Sequence, residues 1–183
     1  MSRLRNGLMI SGAWLTKRRF WWMIALPPGL LLAIALYLQY AQGLLPCVLC
    51  IYQRLALCGC GLAALLASLQ PGNPWLRKGA LLLCGYSAWN GLRIAWQQRQ
   101  LQQGEFPWLT CPLVPQFPDW FRLDQWLPQL FQAQGSCHQP AIHWLSFSLP
   151  VWLHLIFAGY FLLALGLFSQ QLYFVLSKIK KKA

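Results

Sequence analysis

The sequence predicts an all-α integral membrane protein, a four-transmembrane-helix bundle with one long loop that carries a short amphipathic surface helix. Three observations predict it. The 183 residues are 57% hydrophobic and only 10% charged, with a mean hydropathy of +0.42. The apolar residues fall into four runs of about the length needed to cross a bilayer. The basic residues, which give a formal net charge of +12, are grouped between those runs rather than interleaved with polar surface. That grouping excludes nucleic acid as the partner such a charge would otherwise bring to mind.

The first run, Phe20 to Leu38, is nineteen residues without a charge and is read as an uncleaved span. A secretory signal peptide is the competing reading, helped by Ala41-Gln42-Gly43, but the apolar core exceeds the usual length of about 7–15 residues. Pro27-Pro28-Gly29 sits inside the run, so a kink, or a helix starting near Pro27, is expected. The second span covers 51–69 and is interrupted only by Arg54; Pro46 is placed to start its helix. Gln70-Pro71-Gly72-Asn73-Pro74 is a turn by composition. The third span covers 79–96, the fourth 150–168. Between them, 97–148 is the long loop, which holds Glu105, Asp119 and Asp124, all the acids of the chain. From Asp119 the residues Trp120, Phe121, Leu123, Trp126, Leu127, Leu130 and Phe131 recur at near-helical spacing, broken at Pro128. They are read as an amphipathic helix on the membrane surface, a pattern equally compatible with packing on the end of the bundle.

Orientation follows from the cations. Eleven of the fifteen Lys and Arg lie in the tails and in the loop at 70–78. By the positive-inside rule these segments, 1–19, 70–78 and 169–183, are cytoplasmic, and loops 39–50 and 97–148 are periplasmic. The chain is then one membrane domain of a bacterial inner membrane, with both termini inside. Trp14, Trp21, Trp22, Trp75, Trp96, Trp144 and Trp152 are mostly candidates for the interfacial aromatic belt.

Cys58, Cys60 and Cys84 fall within apolar segments and read as small hydrophobes. Cys47, Cys50, Cys111 and Cys137 fall in or beside the periplasmic loops, on the oxidising side where disulfides persist. Cys47-Val48-Leu49-Cys50 is a Cys-x-x-Cys at the mouth of a helix, where unpaired backbone N–H groups and Arg54, one turn on, both favour thiolate. An inert disulfide or a pair of buried thiols is the bland alternative. Two dithiol sets on one face point to a relay by thiol–disulfide exchange, the Cys111/Cys137 set lying in a Pro-, Gln- and Gly-rich loop able to move to a partner. The membrane offers an electron acceptor, a lipid-soluble quinone beside Cys50, with Arg54 as donor to a quinone oxygen.

The stretch Pro46-Cys47-Val48-Leu49-Cys50-Ile51-Tyr52-Gln53-Arg54, with Phe117-Pro118-Asp119-Trp120, Asp124-Gln125-Trp126-Leu127-Pro128-Gln129 and Gly135-Ser136-Cys137, resembles the disulfide bond formation protein B family over nearly the whole chain. The resemblance implies an enzyme, a protein-disulfide oxidoreductase that reoxidises the periplasmic thiol oxidase DsbA and passes the electrons to a membrane quinone, ubiquinone or menaquinone. It implies that Cys111 is attacked by the reduced partner, that Cys137 is its disulfide mate, that Cys47 exchanges with Cys137, and that Cys50 faces the quinone with Arg54 beside it. Two departures stand out. Gln53 occupies a position where relatives carry Glu, and Gln97-Gln98 a region where some carry a quinone-side His. His138, His143 and His154 do not fall at that place and read as structural or solvated.

Rival readings remain at this stage: a paralogue serving another thiol oxidase, a structural zinc site on the four outer cysteines, or a membrane scaffold. Metal analysis and partner-swap oxidation assays separate them.

Overall fold

The computed structural model describes residues 14–104, 111–112, 114–137, 143–144 and 147–180, with side chains for all of these except 143, 144, 147 and 174–180. Four long helices dominate: α1 Arg18–Ala41, α2 Val48–Leu69, α3 Pro74–Gln103 and α6 Leu149–Lys180. Two single-turn helices, α4 Leu123–Trp126 and α5 Pro128–Phe131, lie in the long loop. Strands β1 His143–Trp144 and β2 Phe147–Ser148 pair antiparallel just before α6. This small hairpin departs from the all-α expectation; four residues in two short strands supply backbone pairing without a core of their own.

Three of the long helices, α1, α2 and α6 through Tyr173, are long and apolar enough to cross a membrane. α3 is long enough but falls short in apolarity, because Asn90, Arg93 and the glutamines from Gln97 onward dilute it. The composition of α3 therefore does not by itself mark the expected third span.

Each helix end has a local cause. Asn73 caps α3, its side-chain oxygen accepting from the backbone N–H groups of Trp75 and Leu76 at 3.0 and 3.4 Å, with Pro74 in the first helical position. Gly104, in the left-handed conformation at φ 68°, closes it. Helix α2 begins one residue after Cys47, which is its N-cap; Pro46 lies just outside instead of opening it.

The proline pair in α1 does not start the helix, which runs continuously from Arg18. Pro28 has no N–H, so the carbonyl of Ile24 loses its intrahelical donor. Tyr160 of α6 donates its hydroxyl to that carbonyl at 2.8 Å, repairing the gap and closing α6 onto α1. The α2–α3 seam is built from Cys60, Ala63, Ala64, Ala67, Ala80, Cys84 and Ala88, all buried, and small side chains of this kind let membrane helices approach closely. A Cβ on Gly59 would collide with Ser87. Phe157 of α6, fully buried, lies over Gly91 of α3, where an added Cβ would meet its ring at 2.5 Å. Trp21 leaves the expected interfacial belt: it is buried in this core with its indole N–H donating to Leu15 O at 2.9 Å. Trp14, Trp22, Trp75 and Trp96 are exposed.

A candidate thiol–disulfide centre at the mouth of helix α2

Cys47 and Cys50 are positioned by the start of α2. As N-cap, Cys47 takes an extended conformation, and its sulfur accepts the backbone N–H of Cys50 at 3.2 Å. A thiol thus does here what a Ser or Asp side chain does at other helix starts. Both cysteines are free thiols, Cys47 buried and Cys50 half-buried. Hydrogen bonding with the Cys50 side chain, reinforced by burial, pushes the Cys47 thiol well above the usual range.

Cys111 and Cys137 are joined in a disulfide, with Cα atoms 5.9 Å apart and 26 residues between them in sequence. Cys137 is buried in the same cluster as Cys47, Leu49 and Leu101, and Cys50 and Cys111 pack against that cluster. All four outer cysteines therefore meet in one place.

The loop bearing the disulfide is anchored rather than free. The backbone N–H groups of Gln134 and Gly135 both donate to the carbonyl of Pro46 at 3.0 Å, fixing the approach to Cys137 against the residue before Cys47. The Tyr52 hydroxyl accepts the N–H of Gln116 at 2.6 Å. Gln39 and Tyr40, at the end of α1, donate to Gln129 O at 3.4 and 3.0 Å. Leu123 and Phe131 are buried against Ile51. The expected amphipathic helix is shorter than its pattern: Asp119 and Trp120 form a turn, α4 starts at Leu123, and Leu127 separates it from α5 because Pro128 supplies no N–H to continue. One face packs on α2 while Trp120, Trp126 and Leu127 are exposed, so both halves of the sequence pattern find a use.

Arg54 is buried, at 6% exposure. It does not snorkel to a water surface. One guanidinium nitrogen donates to Gln39 Oε1 at 2.7 Å and to Leu130 O at 3.0 Å, and the other to Ala35 O at 3.4 Å, tying α1, α2 and the loop together. Cys47, Cys50, Arg54 and Cys137 all line one cleft of about 170 Å³, whose remaining wall is largely apolar, with Leu31, Leu38 and Leu153 among its residues.

Two glutamines that the sequence reading noted only as departures also line this cleft. Gln53 Nε2 donates to Gln98 Oε1 at 2.8 Å, and Gln98 Nε2 points at Cys50 Sγ, 3.5 Å away. The available signal was positional: Gln53 and Arg54 are adjacent on one helix, and Gln98 lies at the same depth on the next. His154 contacts the ring of Trp96 at 5.8 Å between centroids, away from the cysteines. His138 lies outside the described residues, and His143 is described only through its backbone in β1.

Sulfurs gathered at the end of an apolar helix, one pair closed and the other open, can exchange a disulfide without leaving the protein interior. That is the chemistry of a membrane thiol–disulfide oxidoreductase. Residues 17–167 match the profile of the family described as disulfide bond formation protein DsbB, and the chain belongs to that family. It is similar to the disulfide bond formation protein B of Aeromonas salmonicida, 44% identical over 79% of this chain and 84% of the relative. The proteins of the same name from Pasteurella multocida and Photorhabdus laumondii are 43% and 42% identical, covering 85% and 84% of this chain and 88% and 90% of their own lengths.

Proposed function

We propose that the protein reoxidises a periplasmic DsbA-like thiol oxidase and delivers the electrons to a membrane quinone, through Cys111–Cys137 and then Cys47–Cys50. The observation that carries this reading is the convergence of Cys47, Cys50, Cys137 and Arg54 on one apolar cleft, with Cys111 joined to Cys137 beside it. A reduced partner thiolate attacks Cys111, Cys137 leaves, and a second partner thiol resolves the mixed disulfide, so the partner gains a disulfide and the chain gains two thiols. The Cys137 thiolate then attacks Cys47 of a closed Cys47–Cys50 disulfide, releasing Cys50. Attack by Cys111 on Cys137 restores the outer disulfide and leaves Cys47 and Cys50 reduced.

The cleft fits a quinone in chemistry: an apolar wall for a ring and tail, with Arg54 as a cationic N–H donor for a carbonyl oxygen and Cys50 beside it. A quinone, when bound, accepts two electrons and two protons. The chain's own part is to present the Cys50 sulfur and hold Arg54 in place through Gln39 and Leu130. The Cys111–Cys137 disulfide also uses two of the four thiols that a tetrahedral zinc site would need, which favours the redox reading over the structural one.

In the same reading the chain is a single inner-membrane domain with four spans, 20–38, 51–69, 79–96 and 150–168, both termini cytoplasmic and the cysteines periplasmic. The α3 span is carried by its neighbours, as its seam with α2 and the Gly91–Phe157 contact with α6 support.

Anaerobic turnover of the purified protein with a reduced DsbA-like oxidase tests the assignment. One partner disulfide should form per quinone reduced, with ubiquinone and menaquinone offered in turn. Disulfide formation without quinone consumption would overturn it, as would labelling of Cys47 or Cys137 from the cytoplasmic side of intact cells.

A further inference from the structure

We infer that Gln53 and Gln98 form a positioning pair for the Cys50 sulfur: Gln53 fixes which way the Gln98 amide faces, and Gln98 directs its N–H at the sulfur. The two side chains come from different helices and are both buried, at 3% and 7% exposure. A primary amide has two unlike ends, an acceptor oxygen and a donor nitrogen. The 2.8 Å bond from Gln53 Nε2 engages the oxygen of Gln98, so the donor end is the one left facing the thiols. It lies 3.5 Å from Cys50 Sγ and 3.9 Å from Cys47 Sγ.

Two other donors nearby make bonds elsewhere. The Cys50 backbone N–H is given to Cys47, and the guanidinium of Arg54 bonds Gln39, Leu130 and Ala35. Gln98 is the amide donor to Cys50, beside the Cys47 thiol, which also hydrogen-bonds the Cys50 side chain. A thiol sulfur accepts weakly and a thiolate strongly, so this contact strengthens as charge develops on Cys50. The donor itself carries no ionisable group. The role rests on the reading above that Cys50 is the sulfur nearest the acceptor.

The test uses anaerobically reduced full-length protein, without quinone. Alkylation of Cys50 by iodoacetamide at neutral pH is followed by peptide-resolved mass spectrometry, and the Cys47/Cys50 pair is equilibrated with glutathione. Gln98→Leu should slow Cys50 alkylation about tenfold and move the glutathione equilibrium about tenfold toward the disulfide, roughly 30 mV for a two-electron couple. Gln98→Glu, of nearly the same shape, should do more, because it sets an oxygen against the sulfur. Gln53→Glu can only accept, so it should turn the Gln98 amide around, set its oxygen against the sulfur, and match or exceed the Gln98→Leu effect. Gln53→Leu should cost about threefold alone and nothing further in the Gln98→Leu background, since it acts through Gln98.

Alkylation within twofold of the parent in Gln98→Leu, an unmoved glutathione equilibrium, or equal costs of Gln53→Leu in both backgrounds would overturn the pair. Quinone turnover of Cys50→Ser is measured separately. If that variant still reduces quinone, the assignment of Cys50 as electron exit fails while the positioning pair stands on its own readouts.

Discussion

The two cysteine pairs achieve proximity by opposite means. Cys47 and Cys50 are neighbours because a helix begins between them, and one backbone N–H to one sulfur sets their geometry. Cys111 and Cys137 are 26 residues apart and are held by a loop whose position depends on several separate attachments to α1, to α2 and to Pro46 just before it. Local geometry is hard to disturb without unfolding the helix. Distributed geometry can be loosened one attachment at a time. The inner pair is therefore the fixed station and the outer pair the adjustable one, which suits the exchange proposed above.

The sharpest way to break this contrast is to remove one sulfur from each pair. Cys111→Ser should abolish turnover with the reduced partner, by more than about a thousandfold, while the inner pair, reduced by a small dithiol, still passes electrons to quinone. Cys50→Ser should lose both activities; equal and total loss in both assays for Cys111→Ser would erase the division of labour.

Next in size is Phe131→Ala. Truncating a buried Phe costs about 3 kcal/mol, roughly a hundredfold in the equilibrium that docks the loop. Limited proteolysis within 114–137 should accelerate accordingly, while the glutathione equilibrium of Cys47/Cys50 stays within twofold of the parent. A comparable shift in the inner pair would show that the two stations are not independent.

Arg54→Gln removes a charged donor shared between the cleft and the loop, and the apparent KM for quinone should rise about tenfold before thiol exchange with the partner changes. An unchanged KM would confine Arg54 to holding Gln39 and Leu130. The smallest effect is expected for Tyr52→Phe. It withdraws one acceptor from Gln116 N–H, worth about 1 kcal/mol, and should speed hydrogen exchange at that amide about fivefold with little change in turnover.

Much of this arrangement was legible in the sequence. The four apolar runs are all helical, because long uninterrupted stretches of Leu, Ala and Ile carry a strong signal. Cys47, Cys50, Arg54, Cys111 and Cys137 announced themselves by spacing and location. What escaped was whatever depends on contacts between distant segments. Periodicity around residue 120 cannot say that α4 begins only at Leu123, since Asp119 and Trp120 are equally compatible with a turn. Loop composition rich in Pro, Gln and Gly implied freedom, but its restraints are carbonyls and amides that composition does not display. Pro27-Pro28 signalled a break, and the remedy, a Tyr160 hydroxyl from a helix more than a hundred residues later, has no local signature. Trp21 and Gln98 were hidden in the same way, by partners that only folding supplies.

The attachment at Pro46 has a consequence for how this protein can vary. A single main-chain oxygen receives the amides of Gln134 and Gly135, and neither side chain takes part. The distance between the sulfur stations is thus written partly in atoms that every residue except proline possesses. Drift at 134 and 135 should pass unnoticed over a wide range of substitutions, leaving the loop's outer surface open to follow a changing partner, while a proline at either position would remove one of the two bonds and prolines at both would cut the tie.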